Sequence, residues 1–264
     1  MTLTRSVVVA LVSTLGLGAC ASPQAPAVAS SSPSPRATNA VGPVTVFAAA
    51  SLTEAFNDQR TRLASVAPGL AVTFSFAGSG ALANQIQQGA PADVIATADS
   101  ASMKRLVDAG LVEPPRTFAK NRLEILVAPG NPRHVIGLAS LADANLKVVL
   151  DDESVPAGKY AAQALAAAGV LVHPVSNEVD VKSAVAKVVS GEADATIVYV
   201  TDVIAAGGKG GAVEIPAAQN VIAEYPIAIV KATTHRAAAA AFVDEIVERT
   251  GQDALRARGF LPAG

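Results

Sequence analysis

The chain has 264 residues, 51% hydrophobic and 16% charged, with 4% aromatic residues, no Trp and a formal net charge of −2 at pH 7. That length holds one large or two medium domains, and the near-neutral balance, without basic runs interleaved with aromatics, gives no electrostatic case for nucleic-acid binding. A single cysteine, Cys20, excludes a disulfide framework and any Cys-based zinc site.

Met1–Arg5 forms a short basic start, and Ser6–Gly18 an apolar core too short for a permanent membrane span. The core ends in Leu17-Gly18-Ala19-Cys20, which resembles a bacterial lipobox with cleavage before Cys20 and lipidation of its sulfur. Residues 1–19 are therefore expected to be a lipoprotein signal peptide. Residues 20–42, rich in Pro, Ser and Ala without hydrophobic period, are expected to be a lipidated, disordered tether.

From Val44 onward strands and helices alternate. Val44–Ala48 is predicted as a buried strand, running into a helix over Leu52–Ala64 that opens at Ser51, with Glu54 completing a capping box. Ala71–Phe76 is a second strand, followed by Gly78-Ser79-Gly80 and a helix over Ala81–Gln88. Asp93–Ala96 is a short strand before a helix capped by Asp99 or Ser100 and closed by Gly110. Arg122–Ala128 and Lys147–Leu150 are strands. An Ala-rich helix over Lys159–Ala168 comes next, with Pro156 suited to a first helical position. A helix with Val181, Val185 and Val188 on one side ends at Gly191. Asp194–Val200 is a buried strand, with Thr201-Asp202 capping the next segment. Val213–Ile215 and Glu224–Val230 are strands, and helices over about His235–Arg249 and Asp253–Arg258 finish the chain. Strands separated by helices of this size predict an α/β fold with parallel sheets, and two domains rather than one. Residues 43–120 plus 231–264 form domain I and 129–222 domain II, with 121–128 and 223–230 as hinge crossovers.

Five places combine a strand end, a helix start and small or hydroxyl residues: Ala50-Ser51, Gly78-Ser79-Gly80, Pro156-Ala157-Gly158, Asp180-Val181 and Val198-Tyr199. Ligands of open α/β sheets sit outside the carboxyl ends of strands, so these places are expected to converge. Each has a plainer alternative: Ser51 as a helix cap, the Gly-Ser-Gly as a tight turn, Tyr199 as a core residue. No Lys, Arg or His lies between Val44 and Glu54, so an anion held there takes no formal positive charge from that segment.

Phe47-Ala48-Ala49-Ala50-Ser51-Leu52, Phe76-Ala77-Gly78-Ser79-Gly80, Gly89-Ala90-Pro91-Ala92-Asp93-Val94, Val155-Pro156-Ala157-Gly158-Lys159-Tyr160, Ile197-Val198-Tyr199 and Glu224-Tyr225-Pro226-Ile227-Ala228 together resemble the molybdate-binding proteins of bacterial molybdate ABC importers. The resemblance runs from Val44 to Pro262. It implies a two-domain periplasmic-binding-protein fold of type II, each domain a mainly parallel sheet flanked by helices, with the ligand in the cleft between them. It further implies hydroxyl and N–H donors at Ser51 and Ser79, backbone N–H donors at Ala157 and Val181, and a phenolic donor at Tyr199. The implied ligand is molybdate or tungstate, with molybdenum bound as the oxyanion and no bare metal or cofactor. The implied partner is the importer's membrane permease, for a monomeric receptor outside the cytoplasm. Asp180 would place a carboxylate near the anion and is expected to cap its own helix instead.

Hydroxyls and amides suit a fully deprotonated oxyanion, whereas phosphate near pH 7 keeps a proton that needs an acceptor. Two alternatives remain open: another tetrahedral oxyanion such as sulfate, or a lipid-anchored serine hydrolase using Ser51 or Ser79. The hydrolase lacks a G-x-S-x-G elbow, and His134, His173 and His235 lie in or beside loops without metal-site spacing. No enzymatic activity is expected.

Overall fold

The computed structural model describes residues 42–264. The signal peptide, the Cys20 anchor and the tether up to residue 41 lie outside the described residues. Gly42, assigned to the tether from sequence, already belongs to the first strand.

In chain order the elements are β1 (Gly42–Ala49), a 3-10 turn (Ala50–Leu52), α1 (Thr53–Val66), β2 (Leu70–Ala77), α2 (Ser79–Gln87), β3 (Val94–Ala96), α3 (Ser100–Asp108) and β4 (Arg116–Val127). A second 3-10 turn (Leu138–Ala142), β5 (Val148–Asp151), α4 (Pro156–Ala168), β6 (Ser176–Glu178), α5 (Val181–Ser190) and β7 (Ala195–Tyr199) come next. The chain ends with α6 (Val200–Ala206), β8 (Gly211–Glu214), β9 (Ile222–Ile229), α7 (Arg236–Glu248) and α8 (Thr250–Ala257).

The strands join in the order β2-β1-β3-β9-β4-β7-β5-β6, with β8 on β4. β1 is parallel to β2 and β3, and β5 is parallel to β6 and β7. These parallel groups are buried under helices on both faces, which is why β1, β3 and β7 read as near-continuous apolar runs. The antiparallel pairs all involve β4 or β9. β4 carries the chain from one group to the other: Arg116–Arg122 pairs with β9, and Leu123–Val127 with β7 and β8. The sheet thus has two halves, each with a parallel core and antiparallel strands where the halves join.

In the first half Phe56, 0% exposed, packs against Phe74, Phe118 and Phe242 at centroid distances of 5.5–6.1 Å. Its burial contributes roughly 1.5–3 kcal/mol. Phe118 meets Tyr225 edge-on at 6.3 Å, and Tyr225 meets Tyr199 at 5.9 Å, so one line of rings runs from this core to the end of β7. The terminal helices α7 and α8 return to the first half. Arg258 clasps Asp58 of α1 with bonds of 2.6 and 2.9 Å, and Arg116 of β4 reaches Asp244 of α7 at 2.9 Å.

Some local expectations change. β4 begins six residues before Arg122, because Phe118 and Ala119 are buried between polar residues that pair with β9. β6 was not foreseen: Ser176-Asn177-Glu178 is wholly polar and is held by its backbone pairing to β5. Thr201 and Asp202 lie inside α6, and the residue before its first turn is Tyr199, so they do not cap it.

Candidate functional site

Four helical segments start at the carboxyl ends of strands and aim their first turns at one place: the turn after β1, α2 after β2, α4 after β5 and α5 after β6. Their first-turn N–H groups have no intrahelical partners and carry the positive ends of the helix dipoles. Between them lies a cavity lined by residues that include Ala50, Ser51, Gly78, Ser79, Ala98, Ala157, Asp180, Val181 and Tyr199. Its empty volume is about 210 Å³ with its mouth included. Such a space suits a ligand of a few heavy atoms. The structure brings Ser51, Ser79, Ala157, Val181 and Tyr199 to this one cavity, each at most 4% exposed.

Ser51 is not a helix cap. It sits inside the 3-10 turn, no side chain caps α1, and its Oγ lies 2.9 Å from Tyr225 Oη. The capping-box partner Glu54 instead binds Lys182. The sequence pattern fails here because a residue 174 positions away offers the serine a buried phenol. Asn121 Nδ2 donates to Thr201 Oγ1 at 2.9 Å and to Tyr225 Oη at 3.5 Å. Either hydroxyl of the Ser51–Tyr225 pair can donate; the arrangement in which Tyr225 donates leaves the Ser51 proton for the cavity.

Ser79 opens α2, and its Oγ accepts the Ala98 N–H at 3.0 Å, which frees its own O–H as a donor. Pro156 has no N–H, so Ala157 presents the first amide of α4. Val181 opens α5, whose N-cap Asp180 accepts the N–H groups of Lys182 at 2.9 Å and Ser183 at 3.0 Å. Asp180 therefore caps its own helix as expected, yet it still lines the cavity. The lining contains no cationic side chain but is not free of charge.

Tyr199 Oη is buried and makes no hydrogen bond of ordinary geometry among the described residues, although the Tyr225 hydroxyl stands near it. Burial pushes the Tyr199 and Tyr225 hydroxyls well above the usual phenol range, so both remain protonated donors at neutral pH. A hydroxyl left without a well-formed bond in such a place costs the fold stability unless a ligand accepts from it.

Gly78 and Gly80 serve the walls of the cleft as well as its contents. An added Cβ at Gly78 would lie 2.9 Å from the Val179 carbonyl oxygen, and one at Gly80 would lie 2.9 Å from that of Ser154. Both carbonyls belong to the other half of the sheet, so these glycines let the two halves touch beside the cavity. Sequence reading takes these glycines as a ligand approach or a tight turn, and does not reveal the contact between the halves. It also missed Tyr225, Asn121 and Ala98 as supports, although Tyr225 stands within one of the recognised motifs.

The chain matches the family described as bacterial extracellular solute-binding protein over residues 44–261. The chain belongs to this family. Two relatives of the solute-binding protein are named molybdate-binding protein ModA. The one from Mycobacterium tuberculosis is 39% identical over 246 residues, 93% of this chain and 92% of the relative. The one from Escherichia coli is 33% identical over 230 residues, 83% of this chain and 89% of the relative. The periplasmic molybdate-binding protein of Azotobacter vinelandii shares the fold with a TM-score of 0.73 at 24% identity, over 83% of this chain and 98% of that one. As its family description says, the solute-binding protein acts outside the cytoplasm. No helix among the described residues is long and apolar enough to cross a membrane.

Proposed function

We propose that this solute-binding protein captures molybdate, and tungstate as well, and delivers it to the membrane permease of an ABC importer. The observation that carries the reading is the convergence of Ser51, Ser79, Ala157, Val181 and Tyr199 on a small cavity lined by hydroxyls and helix N-termini. The names of the two ModA relatives point the same way.

The chemistry is that of uncharged donors gathered around a dianion, with no cationic side chain in the lining. The Ser51, Ser79 and Tyr199 hydroxyls and the Ala157 and Val181 amides donate to the four oxygens. Each charge-assisted bond contributes roughly 1.5–3 kcal/mol net, against an association cost of about 4–15 kcal/mol. Both halves supply donors, so each half completes the other's site. Residues 43–120 plus 231–264 and residues 129–222 act as two domains that close by a hinge at the strands crossing between them. The protein works as a monomer that binds and releases without catalysis. Cys20 anchors it to the membrane by a lipid, and Cys20→Ala would release it into the medium.

Sulfate is the second reading, because it is also a tetrahedral dianion and differs chiefly in size. Calorimetric titration with molybdate, tungstate, sulfate and phosphate separates them. Tight binding of the first two with weak sulfate and phosphate binding is expected; tight sulfate binding without a molybdate response would overturn the assignment.

A further inference from the structure

Three charged residues stand directly behind the cavity wall, each a short step along the chain from one of its lining residues. Glu54 in the first turn of α1 follows Ser51 by three, Lys182 of α5 follows Val181 by one, and Asp202 of α6 follows Tyr199 by three. Lys182 Nζ donates to Glu54 Oε2 at 2.7 Å and to Asp202 Oδ1 at 3.0 Å. Glu54 belongs to the first half, Lys182 and Asp202 to the second. We infer that Lys182 is a positioning residue, a clasp whose bond to Glu54 holds the two halves in the closed arrangement that brings Ser51 opposite Val181 and Tyr199.

The two arms of the clasp differ in kind. Asp202 is 0% exposed, and its Oδ2 has no hydrogen-bond partner among the described residues. Lys182 is its only cationic partner among the described residues, and loss of that ammonium would leave a buried carboxyl with only the Tyr199 backbone amide to bind. Glu54 and Lys182 have side chains 33% and 31% exposed, so their bond is reached by water. Opening the cleft would separate Glu54 from Lys182 while Asp202 keeps the ammonium in place. The lysine then remains preorganised, and the Glu54 arm is made and broken with each cycle. Burial works against the Lys182 charge, but Asp202 and Glu54 outweigh it and hold its pKa above the usual lysine value. The clasp makes no contact with the ligand. It acts on how long the halves stay together.

The inference rests on the reading of the two halves as closing domains, and the test separates it from the identity of the ligand. Spin labels are placed on Gln88→Cys after α2 and Gln163→Cys in α4, both exposed positions, in the full chain carrying Cys20→Ala. Distances between them are measured with and without molybdate. Glu54→Gln, which leaves the Lys182–Asp202 pair intact, should lower the ratio of short to long distances about three- to fivefold in both conditions, as expected for a water-accessible ion pair. Molybdate dissociation should speed up by a similar factor, with little change in association rate. The melting temperature without ligand should stay the same. High salt should shrink the difference between Glu54→Gln and the parent. Identical distance distributions in Glu54→Gln and the parent would overturn the clasp. A shifted distribution in a parent that ignores molybdate would uphold the clasp and remove the ligand assignment instead. Lys182→Met is the harsher variant. Adding Glu54→Gln to it should produce no further change in the distances, and an additive change would also overturn the clasp.

Discussion

At the residue scale, Tyr199 offers the sharpest separation between holding a ligand and holding the fold. Tyr199→Phe keeps the ring against Tyr225 and removes a buried hydroxyl that makes no hydrogen bond of ordinary geometry among the described residues. The melting temperature of the ligand-free protein should hold or rise, while molybdate affinity falls by about 1–3 kcal/mol. Parallel melts and titrations check this, and a joint loss of both would mean that the hydroxyl serves only the core. Asp151, at the end of β5, gives a prediction in pH. Both of its oxygens are buried without a partner among the described residues, and burial, then the charges of Asp202, Asp180 and Glu178, hold it well above the usual carboxylate range. The unfolded chain gives up that proton near the ordinary carboxylate value, so between that value and the raised one the folded state binds more protons. Stability therefore falls as pH rises through that window. Asp151→Asn should flatten the slope in denaturant titrations run from about pH 5 to 8.

At the element scale, α2 enters the cleft on Gly78 and Gly80. Gly80→Ala puts a methyl group within 2.9 Å of the Ser154 carbonyl across the cleft, at a helical position where alanine is otherwise preferred to glycine by about 1 kcal/mol. The ligand-free fold should not weaken, yet molybdate binding should drop about tenfold or more because the walls cannot meet. A variant with unchanged affinity would show that the contact is dispensable. Elements set by local chemistry were the ones readable from the sequence. Asp180 and Asp99 cap α5 and α3 with bonds to amides two or three residues on, Gly169 and Gly191 end their helices, and the apolar runs of β1 and β7 declare burial. What could not be read was set by distant residues. Ser51 and Glu54 have the spacing of a capping box, but the fold brings Tyr225 and Lys182 beside them, and β6 is a strand only because β5 lies next to it. The five candidate lining residues lie at strand ends, where topology forces convergence, so the place of the site was legible. The supports behind it, Tyr225, Asn121 and Ala98, were not.

At the scale of the whole molecule, β4 belongs to both halves, pairing with β9 along its first part and with β7 and β8 along its last. Neither half owns all of its strands, so the two should not melt independently. Scanning calorimetry should show one transition with matching calorimetric and van't Hoff enthalpies; two resolved transitions would count against this sharing. Molybdate at about a hundred times its dissociation constant should add about 2.7 kcal/mol to that single transition. The same continuity limits how the halves can move. A strand that is part of both sheets can twist or bend, but it cannot come apart without undoing the core on either side.

The Ala157 and Val181 amides have a different consequence. A main-chain donor has no side chain to delete, so an alanine scan could not report the two proposed amide contacts: Ala157 would not register as a change, and Val181→Ala would report the loss of a buried core side chain instead. Under the proposed function that recognition is encoded in where α4 and α5 begin, not in the side chains the two residues carry. Comparing side chains between relatives therefore understates what they share, and the start points of these two helices are the more faithful record of what the cleft was selected to hold.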